Sequence, residues 1–343
     1  WTCAITVADA DQDGTVGYTI TFGDASGNAG VDVTSGSGAV TIDNTHPTLS
    51  TPSVSVNNAG APSDGDTITM TFTSSSDVTT APVCAFTDGN GAMANSASTA
   101  AGSASGWTCT IVVDNADQDG DVGYSITFSD TAGNAGTAVT STDAGITIDN
   151  THPTLSNVAL ATDGAGNANN ADTVSLTFTS STDVTTAPAC AFTDGSGAMA
   201  NSPRTATGDA SGWTCAITVA DADDDGTVGY TITFGDTAGN AGVDVTSGSG
   251  AVTIDNTHPT LSNVALATDG TGNANNADTV SLTFTSSTDV TTAPACAFTD
   301  GNGAMANSPR TATGDASGWT CAITVADADQ DGTVGYTITF GDA

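Results

Sequence analysis

Four short runs place carboxylates at alternate positions ahead of a glycine. They are Asp9-Ala-Asp11-Gln-Asp13-Gly14, Asn115-Ala-Asp117-Gln-Asp119-Gly120, Asp221-Ala-Asp223-Asp-Asp225-Gly226 and Asp327-Ala-Asp329-Gln-Asp331-Gly332. The pattern D-x-D-x-D-G offers hard oxygen ligands and a residue that turns the chain sharply, the first half of a calcium loop. The second half is missing, because the place of the bidentate acid of an EF-hand falls on Ile232, inside a predicted strand. Asn115 can still ligate through its carbonyl oxygen. The competing reading is a polar turn before a strand, since Asp and Gly are ordinary turn residues.

A second acidic set surrounds the recurring Asp-Asn-Thr-His-Pro segments that begin at Asp43, Asp149 and Asp255. Asp255 and Asn256 precede His258-Pro259, Asp236 and Asn240 lie in the turn before them, and Asp163 completes the set. Carboxylates gathered at a boundary between modules can share a calcium and stiffen the joint. A short linker fixed only by the restriction that proline places on its predecessor is the alternative.

The seven cysteines form two positional sets, Cys84, Cys190 and Cys296 against Cys3, Cys109, Cys215 and Cys321. No CxxC and no Cys/His cluster occurs, so the spacing is poor for zinc. It suits one disulfide per module, Cys84–Cys109, Cys190–Cys215 and Cys296–Cys321, and hence an oxidising, extracellular setting. Cys3 reads as the second cysteine of a repeat whose first half lies outside this sequence, a free thiol being the alternative. The histidines invite a catalytic reading that the rest of the chain rejects. His46, His152 and His258 are one linker residue repeated, no nucleophile recurs beside a fixed acid, Glu is absent, and no Gly-rich loop joins a strand to a helix. The chain reads as a non-enzyme.

What must position these groups is visible as a repeat of 106 residues, marked by Trp1, Trp107, Trp213 and Trp319. Residues 259–343 match 153–237 at all but four positions. A fixed period of this size signals an array of similar modules, here 1–46, 47–152, 153–258 and 259–343, the first and last being partial. The formal charge is -36, every acid is Asp, and the only bases are Arg204 and Arg310, at one equivalent position where the earlier repeat has Ser98. Such a surface repels nucleic acid and anionic membrane and attracts cations. No apolar run is long enough to span a bilayer, and no Asn-x-Ser/Thr sequon occurs. O-linked glycan on the Thr-rich segments stays open.

Within Pro153–His258, short alternating runs are separated by Asp-Gly, Gly-Asn and Ser-Gly turn signals. The predicted strands are Leu155–Ala161, Thr173–Ser180, Pro188–Thr193, a short edge near Met199–Arg204, Trp213–Val219, Thr227–Gly235, and Val243–Ile254 broken by Gly248 and Gly250. About seven short strands in roughly 100 residues predict an all-β, immunoglobulin-like β-sandwich. Cys190 and Cys215 fall on core faces, with Trp213 two residues before Cys215 on the same face.

The run Tyr230-Thr-Ile-Thr-Phe-Gly-Asp-Thr-Ala-Gly-Asn-Ala-Gly242, followed by Ile254-Asp-Asn-Thr-His-Pro259, resembles the closing strands of bacterial-type Ig-like repeats. Such repeats recur in very large surface adhesins and biofilm proteins. Similar arrays with paired cysteines and a Trp-Thr-Cys element occur in giant extracellular proteins of marine microbes and algae, flagellar-hair proteins among them. The cysteine placement departs from antibody domains, which link the second and sixth strands. Asp225-Gly-Thr-Val-Gly-Tyr230 resembles a tyrosine corner, but no cysteine follows it. The resemblance and the near-identity of the modules imply the shaft of an extracellular filament, hair or cell-surface stalk, partnered by further repeats and other filament subunits. The alternative is the repeat region of an adhesin that binds a ligand or presents a binding head.

Overall fold

The computed structural model describes residues 1–342. Its described residues contain strands, turns and bends but no helix, and the middle module shows the architecture most fully. Its strands are β1 (Leu155–Thr162), β2 (Thr173–Ser180), β3 (Ala189–Thr193), β4 (Arg204–Thr205), β5 (Thr207–Asp209), β6 (Gly212–Thr218), β7 (Gly226–Thr227), β8 (Gly229–Thr233) and β9 (Thr253–Ile254). One antiparallel sheet runs β1-β2-β6-β5 and the facing sheet runs β4-β3-β8, while β7 pairs with β9. This is the order of an immunoglobulin-like sandwich, four strands over three with one further run bridged to β8 at Val245. Alternation drives it. Val174, Leu176 and Phe178 are buried while Thr173, Ser175 and Thr177 face outward between them. Burying each such side chain is worth about 1.5–3 kcal/mol.

Each of the three modules with a core keeps its own. Separate buried clusters run from Ile68 to Ile148, from Leu160 to Ile254 and from Val280 to Ile323. Residues 1–46 form only a short Gly14–Thr15/Thr41–Ile42 ladder and isolated bridges. Disulfides join Cys84 to Cys109, Cys190 to Cys215 and Cys296 to Cys321, each across 25 residues, with Cα–Cα separations of 6.3–6.4 Å. Each ties β3, or its counterpart, to β6, so the bond sutures one sheet to the other. Trp213 is buried beside Phe178 and donates from Nε1 to Ser180 Oγ at 3.0 Å.

The structure departs from the sequence reading in four places, the first being the expected strand Thr227–Gly235, which breaks at Val228 into β7 and β8 with different partners. The run Val243–Ile254 is not one strand. It bridges β8 at Val245, then crosses to β1, where Ser249 makes a parallel bridge with Ala159. Gly250 permits the crossing, because its φ is +79° and a Cβ there would lie 2.1 Å from Leu160 O. The expected edge strand near Met199–Arg204 is instead the pair β4 and β5, which switches sheets at buried Ala206. The tyrosine corner is absent, since the Tyr230 hydroxyl is buried without a hydrogen-bond partner.

Candidate functional site: the acidic loops and the module joints

The D-x-D-x-D-G loop follows β6, and its three acids do three different things. Asp223 is 4% exposed and closes the loop, accepting Ala220 N at 2.8 Å and, from the turn after β3, Ala200 N at 2.7 Å. Asp117 and Asp329 repeat both bonds, and Asp11 repeats the first. Asp225 reaches forward to the linker, accepting Asn256 N at 2.6 Å and the Thr257 hydroxyl. Asp13 and Asp119 hold Asn44 and Thr45, and Asn150 and Thr151, in the same way. The Thr257 hydroxyl, then the Asn256 amide, hold the Asp225 carboxyl below its ordinary value, and Thr45 and Asn44 do so for Asp13. The first-position residues Asp9, Asn115, Asp221 and Asp327 are exposed. Gly226 closes the turn with φ +149° and packs so tightly that a Cβ would lie 2.9 Å from Gly195 Cα. Among the described residues no three His, Cys or Asp side chains come together as a metal cage. Through Asp225 the loop clasps the linker. Replacing Asp223 by Ala should cost about 2 kcal/mol or more by orphaning two amide donors, while Asp221→Ala should stay within about 0.5 kcal/mol. Thermal melts of the two variants check this; equal losses would mean that the three acids act as one ligand set.

The linker is gripped from its other side as well. Asn240, 5% exposed in the turn after β8, donates from Nδ2 to Asp149 O at 2.8 Å and to Asp236 Oδ2 at 2.9 Å. His152 Nδ1 donates to Ala241 O at 2.9 Å. At the preceding joint Asn134 Nδ2 donates to Asp43 O at 2.9 Å, and His46 Nδ1 to Ala135 O at 2.8 Å. The preceding module adds its own contact, with Ser63 Oγ donating to Ala238 O at 3.2 Å. Asp236 and Asn240 thus serve the joint at Asp149, at the start of their module, and not the one at Asp255. Asp163 is also elsewhere, since its carboxylate accepts Thr173 N at 2.7 Å and closes the β1–β2 turn.

The joint is where acidity is least relieved. Burial first, then the carboxylates of Asp236, Asp119 and Asp183, push the Asp149 carboxyl above its ordinary value against the Thr151 amide. Oδ1 of Asp183 is buried without a partner, as is that of Asp77 in the equivalent place of the earlier module. Asp130, the counterpart of Asp236, fares differently: burial opposes its ionisation, but the Asn134 side chain and the turn amides outweigh it and lower its value.

No protein-family model and no curated protein matches the sequence. Among solved structures, the chain is similar to a tetra-tandem repeat in the extending region of a large adhesion protein. Identity there is 19%, the match covers 96% of this chain and 82% of that one, and the TM-score is 0.27. It is also similar to the chicken CNTN1 FN1–FN3 domains, at 10% identity over 85% of this chain and 94% of that one, TM-score 0.28. Mouse nectin-like molecule 4 matches at 15% identity over 59% and 63%, TM-score 0.24. None superimposes closely, and the fold rests on the strand order of the modules themselves. By that order, with its inter-sheet disulfides and near-identical copies, the chain is a tandem array of immunoglobulin-like β-sandwich repeats.

Proposed function

We propose that the chain is a segment of the structural shaft of an extracellular filament, hair or cell-surface stalk. One observation carries the reading: the same Asn and the same His make the same bonds across two successive joints, Asn134 and His46 at one, Asn240 and His152 at the next. Identical joints repeat one angle, and a repeated angle generates a rod or superhelix rather than a loose string. The disulfides suit an oxidising exterior. An adhesin whose modules bind a ligand would need varied loops; the loops of 153–237 and 259–343 differ at only four positions, and the variation of the array is concentrated in the module 47–152, where 57–65 differs from 163–171 at seven of nine positions. Negative-stain imaging of the purified chain is expected to show straight or uniformly curved particles; randomly bent ones would favour a tether.

Calcium is the cofactor this reading adds, at the joint rather than in the loop after β6. In the loop Asp223 and Asp225 are engaged by amide and hydroxyl donors, whereas at the joint Asp149 has only the Thr151 amide against the charges of Asp236, Asp119 and Asp183, and Asp183 Oδ1 has no partner. For an acid whose value is raised on folding, stability is fully present below the ordinary value of 3.8 and is lost as pH rises through the folded one. Ionised Asp149 therefore weakens the joint at neutral pH, and a divalent cation would offset that cost. Calcium is expected to raise the melting temperature above that in sodium chloride of matched ionic strength. Asp149→Asn should give a small gain without calcium, about 1 kcal/mol or less, and abolish the calcium response. Equal melting in both salts would leave only screening.

A further inference from the structure

We propose that the exposed margin formed by β4 and β5 is a self-recognition surface, at which a second copy of this chain docks side by side and antiparallel through reciprocal Arg–Asp pairs. Arg204 and Arg310 are the only bases in a chain of 38 acids. Both are exposed, and neither is spent on a carboxylate. Nε of Arg204 donates to Ala216 O at 3.0 Å and that of Arg310 to Ala322 O at 3.1 Å. These carbonyls lie on β6, and its counterpart, beyond the reach of the short β5 ladder, which ends at Thr214. The bond fixes the root of each guanidinium on the sheet edge and leaves its terminal amino groups without a protein partner among the described residues.

An acid accompanies each arginine. Asp209 and Asp315 end β5 and its counterpart, exposed, with their carboxylates held by Ser211 and Ser317. The two charges come and go together across the array. The modules with Arg204 and Arg310 have Asp209 and Asp315, whereas the module 47–152 has Ser98 and Ser103 in those places. A surface for a polyanion would gain nothing from the added aspartate. A surface that meets its own copy needs both signs, because under two-fold symmetry residue i meets j and j meets i.

Geometry sets the direction. Arg204 is anchored opposite Ala216 and Asp209 opposite Gly212, four positions apart on β6, roughly 13 Å along the strand. Every Arg and every Asp then finds an unlike charge only if the copies run antiparallel; a parallel copy staggered by that distance pairs half of them. With both modules turning this edge to the second copy and the two-fold axis at the Asp255 joint, Arg204 meets Asp315 of the second copy and Arg310 meets Asp209 of the second copy. The symmetric pairs complete a set of four. Elsewhere the surface is acidic and repels its copy. Exposed pairs are individually weak, so the contact strengthens with the number of charged modules joined in one chain.

Sedimentation velocity on the full chain tests this over a range of concentrations. Wild type should self-associate, more weakly in about 0.5 M sodium chloride. The double reversals R204D/R310D and D209R/D315R should each lower the association constant roughly tenfold or more. An equimolar mixture of the two should associate again, because one partner then supplies only acids and the other only bases. That rescue separates recognition from misfolding. A monomeric wild type, or association untouched by both reversals, overturns the proposal. So does heparin binding that R204D/R310D abolishes while wild type stays monomeric, which would assign the arginines to an anionic glycan.

Discussion

Replacing Cys190 and Cys215 together by alanine should lower the stability of their module by about 3.5 kcal/mol. The bond closes 25 residues, and the chain-entropy model assigns about that much to a loop of this length. It is also the covalent tie between the two sheets, from β3 in one to β6 in the other. The core it supports includes Ala168 and Ala206 and has only Phe178, Phe192 and Trp213 as fully buried aromatics. A domain of this size is stable by about 5–15 kcal/mol in all, so the loss is a large share. Chemical denaturation of residues 153–258, with and without the double replacement, measures it. A change under about 1 kcal/mol would mean that sheet packing alone holds the sandwich.

Replacing Asn240 by alanine should act on the joint and hardly on the module. Its side-chain amide is the donor that reaches back to the Asp149 carbonyl. Removing a buried partner of this kind costs about 1–3 kcal/mol, and at this joint it leaves only the His152 and Ser63 bonds across the boundary. The melting transition of 153–258 should move little, while the spread of angles between modules widens. A fall in the module's own stability with no change in inter-module order would make Asn240 a turn residue and nothing more.

The sandwich was legible in the sequence because alternation is local. Val174, Leu176 and Phe178 announce β2 without reference to the rest of the chain, and the recurring cysteines mark two facing strands. The joint was legible only in part, for the opposite reason. Asn240 stands out as a joint residue but is assigned from sequence to the following joint at Asp255, because the carbonyl it grips lies 91 residues earlier. The acids after β6 carry a second role that their spacing does not announce. Their spacing matches the first half of a calcium loop, and Asp225 also finds partners 31 and 32 residues on, in the linker. The short β5 escaped because three residues including Gly208 carry no alternation.

Small-angle X-ray scattering of the full chain tests the shaft most directly, with N134A/N240A measured beside it. Fixed joints predict a rod-like profile for wild type that persists in dilute solution, and a flexible-chain profile once both asparagines are gone. A flexible-chain profile for wild type itself, with and without calcium, would contradict the shaft.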